Sequence, residues 1–232
     1  EGFSSFNGSA VLRLRGRDAA KQTYKPKGLK RGKIDVGGAK LYYEEMGEGV
    51  PVVFIHGHSL NHRMWDKQFY EFADYYRAIR YDIRGYGYSS PQTETDQSTH
   101  VEDLVKLLDA LDIEKAHIVG LSLGGYIGTD MLGWFPDRVL SAVLASGNKR
   151  PLPKPSIPMG AEEAAKRDIE IAALKQKGID VMKREWFNGL MSSGGTQKER
   201  MRKPLWEMIY QWDAWQPLHK EVRVIAGGDA YI

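Results

Sequence analysis

The stretch HIVGLSLGGYIGTD, residues 117–130, places one serine among glycines directly after an apolar run. Ser122 lies between Gly120 and Gly124 in a G-x-S-x-G pattern, with strand-like residues before it and helical spacing after it. The pattern indicates either a plain tight turn or a nucleophile raised on a sharp strand-to-helix turn. In the second case side chains at 120 and 124 would collide with the neighbouring strand and helix. The first amides of the helix would then face the negative charge that develops in the reaction.

Apolar strand-like runs alternate with amphipathic helical runs on both sides of this stretch. Strands are predicted at 51–57, 76–85, 115–122, 139–147 and 221–228, and helical spacing is seen over 64–76 and 100–113. The run from Val52 to Ile55 is continuous and largely β-branched, which is typical of a strand buried on both faces. The alternation predicts an α/β fold, a mostly parallel sheet with helices on both faces.

The chain divides into four predicted parts. Nine basic residues and a single acid fall between positions 13 and 33, so residues 1–33 are predicted to form a basic N-terminal extension, solvated rather than bound to an acidic surface. Residues 34–148 form the first part of the α/β core. Residues 149–217 begin with a proline-rich segment and continue as helices, which predicts a helical cap, or lid, and residues 218–232 return to the core.

Bulk composition excludes several classes of protein. Apolar residues make up 42% and charged residues 27%, as in ordinary globular domains, and the net charge of +3 is too small to indicate nucleic-acid binding. There is no cysteine, which excludes thiol chemistry, and no apolar run long enough for a membrane span. We predict a small-molecule substrate, no cofactor and no metal, and leave the oligomeric state open. The first residue is not Met, which favours a processed, exported product over a cytoplasmic one.

Three motifs occur in a characteristic order: HGHS at 56–59, DIRGYGYS at 82–89 and GLSLGG at 120–125. In this order and spacing they resemble the α/β-hydrolase family, and the resemblance covers residues 35–232. It implies that Ser122 is the nucleophile and that the backbone N–H groups of His58 and Leu123 form the oxyanion hole. It also implies that Asp82 and Arg84 brace loops near the site.

The remaining members of a catalytic triad are harder to assign. A serine nucleophile needs a histidine base oriented by a carboxylate, in the chain order serine, acid, histidine. Asp229 follows the predicted strand 221–228 and is the candidate acid, with Asp213 as the fallback. No histidine follows Asp229. His62 and His100 each begin a helix and are expected at the surface or as helix caps.

We therefore expect that this sequence is part of a longer protein whose catalytic histidine lies beyond Ile232. On this view the C-terminal strand and helix of the fold are absent from the chain, and the chain as given is inactive. A naturally shortened, non-catalytic protein is the alternative.

Aromatic and methionine residues are frequent in the predicted cap. Trp186, Phe187, Trp206 and Tyr210 are candidates for substrate binding in an apolar pocket, and packing of the cap onto the core is the competing explanation. The function predicted is a serine hydrolase that cleaves a small, rather apolar carboxylic ester or lactone through an acyl-enzyme. Two alternatives stay open: a hydrolase of carbon–carbon bonds in diketone-type substrates, and a low-turnover ligand-binding protein on the same scaffold.

Overall fold

A computed structural model describes residues 28–93, 99–147, 161–196 and 198–219. Six strands are present in these ranges: β1 (Lys30–Asp35), β2 (Lys40–Met46), β3 (Pro51–Ile55), β4 (Arg77–Tyr81), β5 (Ala116–Leu121) and β6 (Val139–Ala145). The helices are α1 (Asp66–Phe72), α2 (His100–Ala110), α3 (Leu123–Trp134), α4 (Ala161–Lys177), α5 (Ile179–Ser193), α6 (Lys198–Gln211) and α7 (Trp215–Leu218). Two short 3-10 helices, His62–Trp65 and Pro136–Arg138, precede α1 and β6.

The strands form one mixed sheet in the order β1-β2-β4-β3-β5-β6. β3 pairs in parallel with both β4 and β5, and β5 pairs in parallel with β6, which confirms the predicted α/β fold. β1 and β2 are antiparallel at the other edge, and β1 lies partly within the predicted N-terminal extension. The predicted strand at 221–228 lies outside the described residues.

The core forms where apolar strands and helix faces meet. Four of the five residues of β3 are buried, as expected for a central strand covered on both faces. α2 packs Leu104, Leu107 and Leu108 into the largest apolar cluster. Thr99 begins this helix with a capping box, in which its hydroxyl accepts from the Glu102 N–H and the Glu102 carboxylate accepts from the Thr99 N–H.

Helices α4 to α7, which we call the C-terminal helices, lie within the predicted cap except at their last residue. They have their own apolar cluster, centred on the buried residues Phe187, Met191 and Ile209. Leu60, from the core, packs against this cluster. An ion pair of 3.2 Å also joins Arg63 of the core to Glu207 of α6.

Candidate active site

The turn at Ser122 has the geometry of a nucleophile elbow. β5 ends at Leu121 and α3 begins at Leu123, so Ser122 alone connects them. Its backbone has φ 50° and ψ −111°, a region that residues with a side chain rarely occupy. The Ser122 N–H donates to the Ala145 carbonyl at 2.8 Å, and its carbonyl accepts from the Tyr126 N–H at 2.9 Å. These bonds hold the strained residue in place, and the residue as a whole is only partly buried.

Gly120 and Gly124 are required by close backbone contacts. A Cβ on Gly120 would lie 2.1 Å from the Gly124 carbonyl oxygen, and a Cβ on Gly124 would lie 2.3 Å from the Ile55 carbonyl oxygen. Both distances are far below van der Waals contact. The glycines therefore let α3 start directly against β5 and the end of β3, as the sequence pattern predicts.

The predicted oxyanion donors lie at the same edge of the sheet as Ser122. Ile55 and Gly120 are paired in the parallel register of β3 and β5, so both chains leave the sheet side by side. Leu123 is the first residue of α3, and an N–H at this position has no acceptor within its own helix. His58 follows β3 by three residues. The fold thus brings the segments that carry His58, Ser122 and Leu123 to one place.

Aromatic rings surround the side chain of His58. Its Nδ1 lies 2.8 Å from the Tyr86 hydroxyl, and its ring meets that of Trp212 edge to face at a centroid distance of 4.7 Å. The ring of Trp186 lies 6.1 Å away in a similar orientation. Trp212 and Trp186 both belong to the C-terminal helical region, so the residue predicted to donate to the oxyanion is held between core and helices.

The next residue, Ser59, is also bound to the C-terminal helices. It is fully buried, has φ 62°, and its Oγ accepts a hydrogen bond of 2.7 Å from the indole N–H of Trp186. Sequence reasoning did not single out Ser59. The one sequence feature that could have pointed to Ser59 is its position beside His58 in the HGHS motif. Its hydrogen-bond partner lies 127 residues away, so no local pattern indicates the contact.

His56 connects the ends of two neighbouring strands. Its Nδ1 donates to the Gly57 carbonyl at 2.8 Å if its Nε2 is the nitrogen that accepts from the Ile83 N–H at 3.0 Å. This arrangement requires the neutral ring. Burial lowers the pKa of His56 to about 4, which agrees with that requirement.

Asp82 organises the loop that carries the second motif. Its carboxylate accepts from the backbone N–H of His62 at 2.7 Å and from that of Tyr88 at 2.8 Å, and it contacts His62 Nδ1 at 2.8 Å. Burial by itself would raise the pKa of Asp82, but the hydrogen bond and charge of His62 outweigh it and keep the pKa below its usual value. Asp82 thus connects the segments around His62 and Tyr88, the bracing position that the resemblance implies.

Arg84, like Asp82, stabilises the loop that carries the second motif. Its guanidinium forms a bidentate pair with the Asp103 carboxylate, with both N–O distances 2.7 Å, and both side chains are buried. The pair fastens the second motif to α2.

Two of the histidine predictions need correction. His62 and His100 each begin a helix, but both are buried rather than exposed, and the capping side chains are those of Asn61 and Thr99. His62 can be buried because its ring contacts the buried Asp82 carboxylate, and this contact compensates for the loss of hydrogen bonds to water.

The four predicted substrate-binding residues are not equivalent. Trp186 is bonded to Ser59 and remains 43% exposed, whereas Phe187 is buried in the apolar cluster of the C-terminal helices. Trp206 packs edge to face on Phe187 at 5.1 Å, and Tyr210 is 63% exposed. Of these four residues, Trp186 donates a hydrogen bond to the loop containing His58.

Of the two candidate acids, one can be described. The Asp213 carboxylate accepts from the N–H of Trp215, the first residue of α7, at 3.0 Å. Asp229 lies outside the described residues, and its role stays a prediction.

Within the described ranges, no cluster of three or more His, Asp or Glu side chains is arranged to hold a metal ion. Among the helices described there, none combines the length and apolar character that crossing a bilayer requires.

Comparison with known proteins agrees with this geometry. The model of the alpha/beta hydrolase fold family matches residues 50–170. The non-heme chloroperoxidase CPO-A1 of Kitasatospora aureofaciens is 40% identical over 116 residues, which cover 47% of this chain and 41% of that protein. The chain thus matches about two fifths of the length of this curated relative.

Two solved structures are similar over most of the chain. Est816, described as an N-acyl homoserine lactone degrading enzyme, has a TM-score of 0.56 and 29% identity, covering 78% of this chain and 64% of its own. A thermophilic esterase from Thermogutta terrifontis has a TM-score of 0.59 and 25% identity, covering 82% and 71%. With the family match over half of its length and an elbow at Ser122, this chain belongs to the α/β-hydrolase fold family.

Proposed function

We propose that the protein is a serine hydrolase that cleaves a small, rather apolar carboxylic ester or lactone. The observation that carries the proposal is the strained Ser122, a partly exposed residue held between β5 and α3. A backbone of this conformation is costly, and such strain is concentrated at functional sites. The relatives described as an esterase and as a lactone-degrading enzyme support the choice of substrate class.

In the proposed reaction Ser122 Oγ attacks the carbonyl carbon of the substrate, and its proton passes to a base. The oxyanion of the tetrahedral intermediate accepts from the backbone N–H groups of Leu123 and His58, and one such donor is typically worth about 100- to 1000-fold in rate. Collapse of the intermediate breaks its C–O bond, and the base returns the proton to the leaving oxygen. An ester thereby releases its alcohol, whereas the hydroxyl of an opened lactone stays on the acyl chain. Water then hydrolyses the acyl group from Ser122. We assign Asp229 as the carboxylate that orients the base.

The test is labelling of the whole protein with a fluorophosphonate probe, which reacts only with an activated serine. We expect labelling of the wild type and none of Ser122→Ala. Ser192→Ala is the matched control, because it removes an exposed hydroxyl at the end of α5 and should label as the wild type does. Absence of labelling in the wild type would refute the proposal and favour a ligand-binding role.

The substrate class is tested separately on the labelled protein. Nitrophenyl esters and lactones should be hydrolysed, and loss of the nucleophile should lower kcat by about 10⁶-fold. Cleavage of vinylogous diketones without ester hydrolysis would instead indicate a carbon–carbon hydrolase.

A second candidate function is suggested by the chloroperoxidase relative. If hydrogen peroxide replaces water as the attacking nucleophile, the same acyl-enzyme yields a peroxyacid and free Ser122, and the peroxyacid can oxidise a halide. Halide oxidation that requires hydrogen peroxide, a carboxylic acid or ester, and Ser122 would support this activity.

A further inference from the structure

The loop after β3, residues 56–61 (hereafter the β3 loop), contacts both the core and the C-terminal helical region. Three consecutive residues make the contacts. The ring of His58 lies between Tyr86 and Trp212, Ser59 accepts from Trp186, and Leu60 packs against the cluster around Phe187. A displacement of the C-terminal helices therefore has to break contacts at each of these positions.

Ser59 is a tightly constrained residue of this loop. Its side chain is fully buried, and its φ of 62° lies in the left-handed region that a serine seldom occupies. A buried hydroxyl and a left-handed backbone persist only where the surroundings impose them. The hydrogen bond of 2.7 Å from the indole N–H of Trp186 to Ser59 Oγ is one of the contacts that impose this conformation.

The conformation of Ser59 bears directly on the preceding residue. A relaxation of φ at Ser59 toward the usual negative values would rotate the peptide unit that joins it to His58. The adjoining backbone of His58 would then turn as well, and an oxyanion donor must be aimed to within a fraction of an ångström.

A second connection reaches the same residue from the other side. The Trp212 indole N–H donates to Gln216 Oε1 at 2.7 Å, and the Gln216 side-chain amide donates to the Gly85 carbonyl at 3.3 Å. Gly85 precedes Tyr86, the hydroxyl of which contacts His58. Both connections begin on the C-terminal helices and end at His58.

We propose that Trp186 is a positioning residue that couples the placement of the C-terminal helices to the orientation of the oxyanion donor at His58. Its hydrogen bond to Ser59 holds the β3 loop in the catalytic conformation only while the helices are seated on the core. The inference rests on the proposed function, because it assigns Trp186 a role in that reaction beyond lining a pocket.

The test compares Trp186→Phe, which keeps an aromatic ring and removes the donor, with Ser59→Ala and the double variant. Trp215→Phe is the matched control: it also removes an indole N–H from the C-terminal helices, but in the described structure its ring stacks on His219, with centroids 4.2 Å apart. The first measurement is backbone hydrogen exchange of the β3 loop by mass spectrometry. It needs no activity.

We expect exchange in the β3 loop to be faster by about fivefold in Trp186→Phe and in Ser59→Ala, the factor that one ordinary hydrogen bond contributes. The double variant should exchange no faster than either single variant, because both remove the same bond. Trp215→Phe should exchange as the wild type does. Unchanged exchange in Trp186→Phe, with the fold intact, overturns the coupling.

The second measurement is steady-state hydrolysis of a nitrophenyl ester by the same variants. A positioning role predicts that kcat falls about tenfold in Trp186→Phe while KM stays within twofold, since a donor aimed at the transition state is lost rather than substrate contact. A rise in KM at constant kcat would make Trp186 a pocket residue and overturn the positioning role, as would a looser loop with unchanged kcat.

The two proposals fail in different ways. If the fluorophosphonate does not label the wild type, the proposed function fails, and exchange alone decides whether Trp186 fixes the loop. If the wild type is labelled and turns over ester but Trp186→Phe behaves like Trp215→Phe in both measurements, the proposed function stands and the inference about Trp186 is wrong.

Discussion

Acidification from pH 7 to pH 5 should destabilise the protein through His56. The ring is fully buried and sits between the Gly57 carbonyl and the Ile83 N–H. One ring nitrogen must accept from an amide, so protonation would place two N–H donors against each other. Burial accordingly lowers the pKa of His56 to about 4 in the folded protein.

The size of the effect follows from the difference in pKa between the two states. An unfolded histidine has a pKa of about 6.5, so the folded value is lower, and the stabilisation is complete above the unfolded value and lost as the pH falls toward 4. At about 1.36 kcal/mol per pKa unit, the free energy of unfolding should drop by about 2 kcal/mol between pH 7 and pH 5. Asp82, Glu44 and Glu45 also have lowered pKa values, so these carboxylates too stabilise the folded protein less on acidification. Their contribution is lost only as the pH falls through the ordinary carboxylate range and below it. In the interval from pH 7 to pH 5 these three carboxylates therefore contribute little.

Urea unfolding at pH 5, 6 and 7 measures this loss. His56→Gln removes the titrating group, so its stability should be lower at pH 7 but should fall by about 2 kcal/mol less on acidification than that of the wild type. His117→Gln, at the start of β5 and only half-buried, should keep the wild-type loss. An equal loss in the wild type and in His56→Gln would refute the assignment of this pH dependence to the buried ring.

Further predictions concern backbone space and buried charge, and urea unfolding at pH 7 measures each. Gly120→Ala should lower the free energy of unfolding by about 3 kcal/mol or more, because its Cβ would lie 2.1 Å from a backbone oxygen, whereas Gly133→Ala, with no atom within 4 Å of the new Cβ, should raise it by about 0.5–1 kcal/mol; equal effects at the two positions would contradict the geometry. Arg84→Ala should cost about 3–5 kcal/mol, because it leaves the buried Asp103 carboxylate without its bidentate partner. Arg202→Ala, on an exposed pair that solvent screens, should cost far less. A loss at Arg84 as small as that at Arg202 would show that the buried pair is not needed.

The strand, elbow and helix around Ser122 could be predicted because their signals are local. The apolar run, the two glycines and the helical spacing all occur within residues 117–130. Each glycine is required by an atom within four residues or by the strand next to it. The structure confirms the turn because local sequence and packing favour the same conformation there.

β1 shows what a local pattern cannot predict. The first four residues of KRGKID lie in the basic segment predicted to be a solvated extension, yet the strand pairs with β2 over six residues. Its charges are compensated across strands, by Lys30 with Glu45 and by Arg31 with Glu44. The partners lie more than ten residues away, and nothing in the basic stretch itself identifies them.

Long-range contacts also explain what was missed at the candidate site. Ser59 and Trp186 are separated by 127 positions, and the burial of His62 depends on Asp82, 20 positions away. Both contacts arise from the way the helices and loops meet above the sheet edge. The predicted role of Asp229 concerns a segment outside the described residues and stays a prediction.

At the elbow, the residues that fix the backbone are different from the residue that carries the attacking atom. At Gly120 and Gly124 there is no room for even one methyl group, whereas position 122, between them, carries a side chain and is only partly buried. A different attacking atom could therefore be installed at position 122 with little disturbance of the scaffold. The attacking atom can thus be varied at one residue, whereas the glycines on either side of it are fixed by the backbone that they contact.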